Sequence, residues 1–151
     1  MTTGAAVTIL HATTIACRHS GQWRGVMVMG PSGAGKSDLT LRAMAAGWRL
    51  VSDDRTLVWR SGEGVFGRAP STLHGLVEAR GLGILPVSVR CLAQITLVAA
   101  CTLDRAAIER MPEEETVNVM GANLPCVRLF ALEASALAKL TLALQGSLTA
   151  L

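Results

Sequence analysis

Tyrosine is absent from this chain of 151 residues, and three tryptophans with two phenylalanines bring the aromatic share to only 3%, so its core must be aliphatic. Long apolar runs are missing as well. The apolar start from Ala5 to Leu10 is interrupted by His11 and followed by Arg18 and His19. That pattern excludes the apolar stretch of a secretory signal and is too short for a bilayer span, so no membrane partner and a cytoplasmic location are expected. There is no block of Lys or Arg. The net charge of +3 is spread along the chain, which argues against a nucleic-acid stripe and favours small anions as ligands. Cys17, Cys91, Cys101 and Cys126 contain no C-x-x-C pair and no zinc-like spacing, so they are expected to be reduced core residues. Repeats and linkers are likewise absent.

Half of the residues are hydrophobic and 17% are charged, enough for one well-filled core over 1–151. Val7 to Cys17 and Gly25 to Met29 are expected to form a hairpin turning over Arg18 to Gln22, and a helix is expected from Asp38 to a stop at Gly47. Leu50-Val51-Ser52 has the composition of a short buried strand, and Thr56 to Trp59 with Val65 to Arg68 that of a hairpin. Leu76 to Val87, punctuated by Gly81, Gly83 and Pro86, predicts a loop that brings Glu78 and Arg80 to a site. Ile95 to Cys101 predicts a core strand, and Leu103 to Met111 and Leu132 to Leu144 predict helices. The fold class is therefore α/β, with a mixed sheet flanked by helices.

The segment Gly30-Pro31-Ser32-Gly33-Ala34-Gly35-Lys36-Ser37 carries the first clear chemistry. Its spacing, Gly-x-x-x-x-Gly-Lys-Ser between an apolar strand and a helix, is that of a phosphate-binding loop. Glycines allow backbone N–H groups to curl around phosphate oxygens, and the helix adds its positive end. Lys36 can reach the outer phosphates, and the Ser37 hydroxyl can bind the Mg²⁺ that bridges them. ATP and Mg²⁺ are thus the expected ligands.

Transfer of a phosphoryl group to a hydroxyl needs a carboxylate near the attacking oxygen, and Asp53-Asp54 stands at a strand end behind that loop. Taken alone, the pair could equally cap a turn. Glu78 is a plausible second acidic Mg²⁺ contact. By composition His11 belongs with core histidines, Arg90 with solvated strand-end cations, and His19 and His74 with the surface.

With those residues in view, the chain resembles the catalytic domain of HPr kinase/phosphorylase, the bacterial enzyme that phosphorylates a serine of the phosphocarrier HPr. The likeness runs from Gly30 through Gly47-Trp48-Arg49-Leu50-Val51-Ser52-Asp53-Asp54, then Val77-Glu78-Ala79-Arg80-Gly81-Leu82-Gly83-Ile84, and loosely Arg90 before Ile95-Thr96-Leu97-Val98. It covers roughly residues 5 to 101. The resemblance implies a P-loop fold of the HPr kinase and PEP-carboxykinase kind, in a short form without the family's amino-terminal domain. By it, Lys36 holds the phosphates, Ser37 and Glu78 hold Mg²⁺, and Asp54 is the base that deprotonates the target serine with Asp53 in support. His11 falls at the family's catalytic histidine, and Arg90 at the arginine that stabilises the transferring group. An HPr-like partner and a homo-oligomer, hexameric as in the family, are implied too. The family's Pro- and Arg-rich segment, linked to phosphorolysis, has no counterpart around Pro125 to Phe130, so kinase activity is expected and phosphorylase activity is not. A small-molecule kinase or NTPase, or a nucleotide sensor, would share the phosphate loop alone.

Overall fold

The computed structural model describes residues 6–72 and 74–149. Ala5, at the head of the apolar start, lies outside them, as do the other terminal residues of the expected 1–151 domain. Among the described residues eleven strands and two α-helices follow one another: β1 (Val7–Leu10), β2 (Thr13–His19), β3 (Gln22–Met29), α1 (Lys36–Ala45), β4 (Arg49–Ser52), β5 (Thr56–Ser61), β6 (Gly64–Arg68), β7 (Leu76–Ala79), β8 (Gly83–Pro86), β9 (Ala93–Cys101), β10 (Glu115–Val119), β11 (Ala122–Leu129) and α2 (Ala136–Thr149).

The main sheet runs β1-β5-β6-β9-β3-β2-β4, with β11 and then β10 joining at β9. Its hub is β9, which pairs in parallel with β3 on one side; on the other it meets β6 antiparallel at Ala93–Ile95 and β11 in parallel at Val98–Cys101. Parallel strands are covered on both faces, and β9 is accordingly apolar and buried almost throughout. Alternation along β3 sends Val26 and Val28 into the layer under Leu39 and Ala43 of α1 and Leu140 and Leu144 of α2. Met27 enters the opposite layer with Val58, Val65 and Val119. Between Ile95 and Leu97 the register against β3 shifts by one residue. The residue left over is Thr96, and on either side of it Ile95 and Leu97 enter opposite layers, as a bulge permits.

The sheet is mixed and flanked by helices as expected, but several elements differ. The expected hairpin forms from Thr13 onwards, as β2 against β3, but Val7 to Cys17 is not a single arm: it breaks at His11-Ala12, and β1 pairs with β5 instead. Leu76 to Val87 is not a loop. Gly81 and Gly83 adopt positive φ and turn the chain tightly, so β7 and β8 close into a separate two-stranded hairpin. Leu103 to Met111 forms only one 3-10 turn, Arg105–Ala107, with no buried residue, since no apolar face is available to hold a longer helix against the core. The hairpin β10–β11 has no counterpart in the sequence expectation, and the last helix starts at Ala136, four residues late. Cys101 is buried, but Cys91 is exposed and is no core residue. Among the described residues no helix is long and apolar enough to cross a membrane.

Candidate active site

The parallel strands β3, β9 and β11 end on one edge of the sheet, and the segment from Gly30 to Gly35 leaves β3 there and enters α1. Gly35 caps the helix in the left-handed conformation, and its carbonyl accepts the Leu39 N–H at 2.9 Å. The first-turn amides of Lys36, Ser37 and Asp38 have no carbonyl within the helix to bond and face the edge together with the positive end of α1. Lys36 Nζ donates to Gly30 O at 2.6 Å and Pro31 O at 3.0 Å, which keeps the ammonium folded over the loop. Beneath it lies Cys101, whose thiol is pushed up to about 11 by burial, with the Lys36 charge pulling the other way.

Two of the loop glycines are demanded by the protein itself. A Cβ on Gly30, at φ 148°, would stand 2.6 Å from the Cys101 carbonyl oxygen, and one on Gly35, at φ 91°, 2.7 Å from Leu132 Cδ2. The loop is thus pressed against β9 below and the connection into α2 behind.

The Asp pair occupies the turn from β4 to β5. Asp54 has a left-handed backbone, φ 63°, unusual outside glycine but tolerated by Asp. Thr13, buried at the start of β2, holds both members: its hydroxyl accepts the Asp54 N–H at 3.0 Å and donates to Asp53 Oδ1 at 3.4 Å. Asp53 Oδ2 also accepts the Glu78 N–H at 3.4 Å, which ties the β7–β8 hairpin to the turn. Asp53 is therefore half-buried and engaged, whereas Asp54 is 68% exposed and faces His11, whose Nδ1 lies 4.0 Å from its Oδ1. His11 is 80% exposed, a consequence of the break between β1 and β2, and no core histidine.

Burial raises the Asp53 carboxyl above its ordinary value of 3.8; the Glu78 amide and Thr13 hydroxyl oppose this, while the charges of Asp54 and Glu78 add to it. A raised folded pKa contributes stability that is fully present below the unfolded value and is lost as pH rises through the folded one. Asp53→Asn is therefore expected to raise the melting temperature at pH 7 and to give a shrinking gain as pH falls towards 4. Thermal unfolding at the two pH values checks this; an equal or larger gain at pH 4 would contradict it.

These elements enclose a cleft of about 780 Å³ that brings together His11, Lys36, Ser37, Asp53, Asp54 and Glu78 with Gly30, Ser32, Gly33 and Gly35 of the loop. Pro31 lies on the loop's outer side, and Ala34 is buried under it. Thr13 and Arg80 line the same cleft. Thr13 escaped sequence reasoning because a threonine opening a strand is ordinary; only the register of β2 beside β4 shows what it touches. Arg90 is not brought in: its guanidinium lies 5.1 Å from the centre of the Trp23 ring, and its N–H bonds Leu50 O at 2.9 Å. A second cavity of about 480 Å³, between β11 and α2, holds none of the expected residues.

Hydroxyl and carboxylate oxygens at Ser37 and Glu78 suit a hard cation. Among the described residues no three His, Cys, Asp or Glu side chains are grouped to hold a metal unaided. The site therefore fits Mg²⁺ that arrives with phosphates supplying most of its ligands, and the loop fits the phosphates.

Comparison with known proteins identifies a family and a shared fold. The family described as HPr Serine kinase C-terminal domain matches residues 5–141. An HPr kinase/phosphorylase of Exiguobacterium sibiricum is 34% identical over 112 residues, 67% of this chain and 36% of the relative. One from Azoarcus sp. is 35% identical over 117 residues, 70% of this chain and 37% of the relative. The chain thus spans little more than a third of the length of these curated relatives. The solved structure of the Hpr(Ser) kinase/phosphatase from Coxiella burnetii superposes with a TM-score of 0.75 at 20% identity, covering 95% of this chain and 96% of that one, which shows the shared fold.

Proposed function

Since the chain belongs to the HPr serine kinase C-terminal domain family, we propose that it transfers the terminal phosphoryl group of ATP, in the presence of Mg²⁺, to a serine hydroxyl of HPr or a related phosphocarrier. The observation that carries this reading is a single cleft lined both by an exposed carboxylate, Asp54, and by the Gly30–Gly35 loop with Lys36 and Ser37. Lys36 exchanges the loop carbonyls for the outer phosphates, and the amides at the start of α1 receive the remaining phosphate oxygens. Ser37 and Glu78 would hold Mg²⁺, which when bound draws charge from the bridged phosphates. Asp54 accepts the serine proton as the new O–P bond forms and the bond to ADP breaks, with the His11 ring 4.0 Å from its Oδ1 beside the attacking hydroxyl. Asp53 and Thr13 fix the turn that aims Asp54. A cytoplasmic location and a homo-oligomer, hexameric by resemblance, belong to the same reading.

The decisive experiment incubates the protein with labelled ATP and a panel of phosphocarriers. Label is expected on a protein serine, and Lys36→Ala is expected to lower transfer at least about a hundredfold. Release of free phosphate alone by the unaltered protein would replace this reading with a simple NTPase. Residues 125–129 are built into β11, paired with β10 at Pro125 and Cys126 and with β9 from Cys126 to Leu129, and they offer no counterpart of the Pro- and Arg-rich segment that resemblance links to phosphorolysis. In the same assay, inorganic phosphate is therefore expected to remove little label from seryl-phosphorylated HPr, and removal as fast as addition would refute this part.

A further inference from the structure

The cleft holds four carboxylates, Asp38, Asp53, Asp54 and Glu78, against two permanent cations, Lys36 and Arg80. Phosphoryl transfer spreads negative charge over three equatorial oxygens of the moving group. Lys36 is a point charge at the root of the loop, and a guanidinium that can grip two oxygens at once suits the moving group better. Arg90, the arginine expected there by resemblance, is held elsewhere. It packs on Trp23, which lies six residues before Met29 on β3; at roughly 3.3 Å per residue, that is about 20 Å from the strand end that feeds the loop.

Arg80 has the placement that Arg90 lacks. Along β7 the buried residues Val77 and Ala79 alternate with exposed Glu78, and Arg80, the first residue of the turn that follows, is exposed too, so acid and base line the same cleft from one hairpin. The hairpin that carries them is held at both ends and at its middle. Leu82 N–H closes the turn on Ala79 O at 2.9 Å, Val87 N–H bonds Gly75 O at 2.9 Å, and the Glu78 amide bonds Asp53. Arg80 itself is exposed and, among the described residues, engaged in no ion pair, so its guanidinium is available to a ligand.

We propose that Arg80, and not Arg90, is the catalytic arginine that binds the transferring phosphoryl group in this protein. The assignment rests on the phosphotransferase reading above for its reaction, but it can be tested without turnover. Aluminium fluoride with Mg²⁺ and ADP mimics the moving group, and affinity for ADP alone reports the rest of the site. In the unaltered protein, fluoride is expected to tighten ADP binding. Arg80→Gln is expected to abolish most of that tightening, with the affinity for ADP alone within about threefold, and Arg80→Lys to restore part of it. Arg90→Gln is expected to keep it. In parallel, serine phosphotransfer is expected to fall about a hundredfold or more in Arg80→Gln. The proposal is overturned if fluoride tightens ADP equally in Arg80→Gln, if it has no effect on the unaltered protein, or if Arg90→Gln shows the larger loss. Arg80-dependent tightening without label on any phosphocarrier would leave Arg80 assigned and refute the acceptor instead.

Discussion

Asp54→Asn is expected to reduce serine phosphotransfer about a thousandfold, within the range of general-base losses, while nucleotide affinity stays within about threefold. Asn is the appropriate replacement because the backbone at this position is left-handed, φ 63°, a conformation Asn accepts and most residues do not. The Asp54 N–H can therefore keep its bond to Thr13 Oγ1, and the turn should keep its shape. What is lost is the second carboxylate oxygen that could take a proton, in a side chain already open to an incoming hydroxyl. Asp54→Ala would mix this loss with backbone strain. Steady-state transfer at saturating ATP, with nucleotide affinity measured separately, makes the test; retention of more than a tenth of the rate by Asp54→Asn would remove Asp54 from the base role.

Gly30→Ala is expected to be the most damaging single methyl in the chain. Its Cβ would meet the backbone oxygen of Cys101 at 2.6 Å and the Cys101 Cβ at 3.0 Å, and φ 148° is hostile to any side chain. The two costs are each about 1–3 kcal/mol, one from backbone strain and one from overpacking against atoms of a central strand that cannot swing aside. Together they correspond to a melting temperature lower by about 10 °C for a domain of this size. Gly33→Ala provides the contrast: it shares a positive φ, 84°, but its nearest neighbour would be Leu103 Cδ2 at 4.0 Å, so only strain of about 1 kcal/mol is expected. Thermal unfolding of the two variants checks the ordering, and equal destabilisation would show that close packing on β9 is not what fixes Gly30.

The phosphate loop, its strand and its helix could be read from the sequence because local chemistry dictates them: glycines at fixed intervals, then Lys36 and Ser37, then apolar residues at helical spacing. The Asp53-Asp54 turn was legible for a similar reason. Elements that depend on how the chain pairs or packs were not. Gly81 and Gly83 look like chain breakers, yet they are the turn of a hairpin whose pairing partners lie only a few residues away. Leu103 to Met111 has helical composition, but its apolar residues find nothing to cover them, and Leu103 and Met111 remain exposed. Met120 and Gly121, both at positive φ, mark the β10–β11 hairpin, and the alternation in Glu115 to Val119 was the signal available to find it. Arg90 and Arg80 show the limit most plainly. Resemblance favours the arginine just before the core strand, whereas in the structure its guanidinium packs on Trp23, near the end of β3 remote from the loop.

The loop's rear wall is built from the connection between β11 and α2. Arg42, paired with Asp38 at 2.8 Å, also donates to Ala131 O and Glu133 O, and Gly35 is wedged against Leu132 and Ala131. A nucleotide that tightened the grip of Gly35 would therefore press on the residues that lead into α2, and drift in that segment would be felt as a change in phosphate affinity. Side chains of this connection can change without touching that support, whereas the backbone oxygens of Ala131 and Glu133 on which Arg42 rests must keep their places.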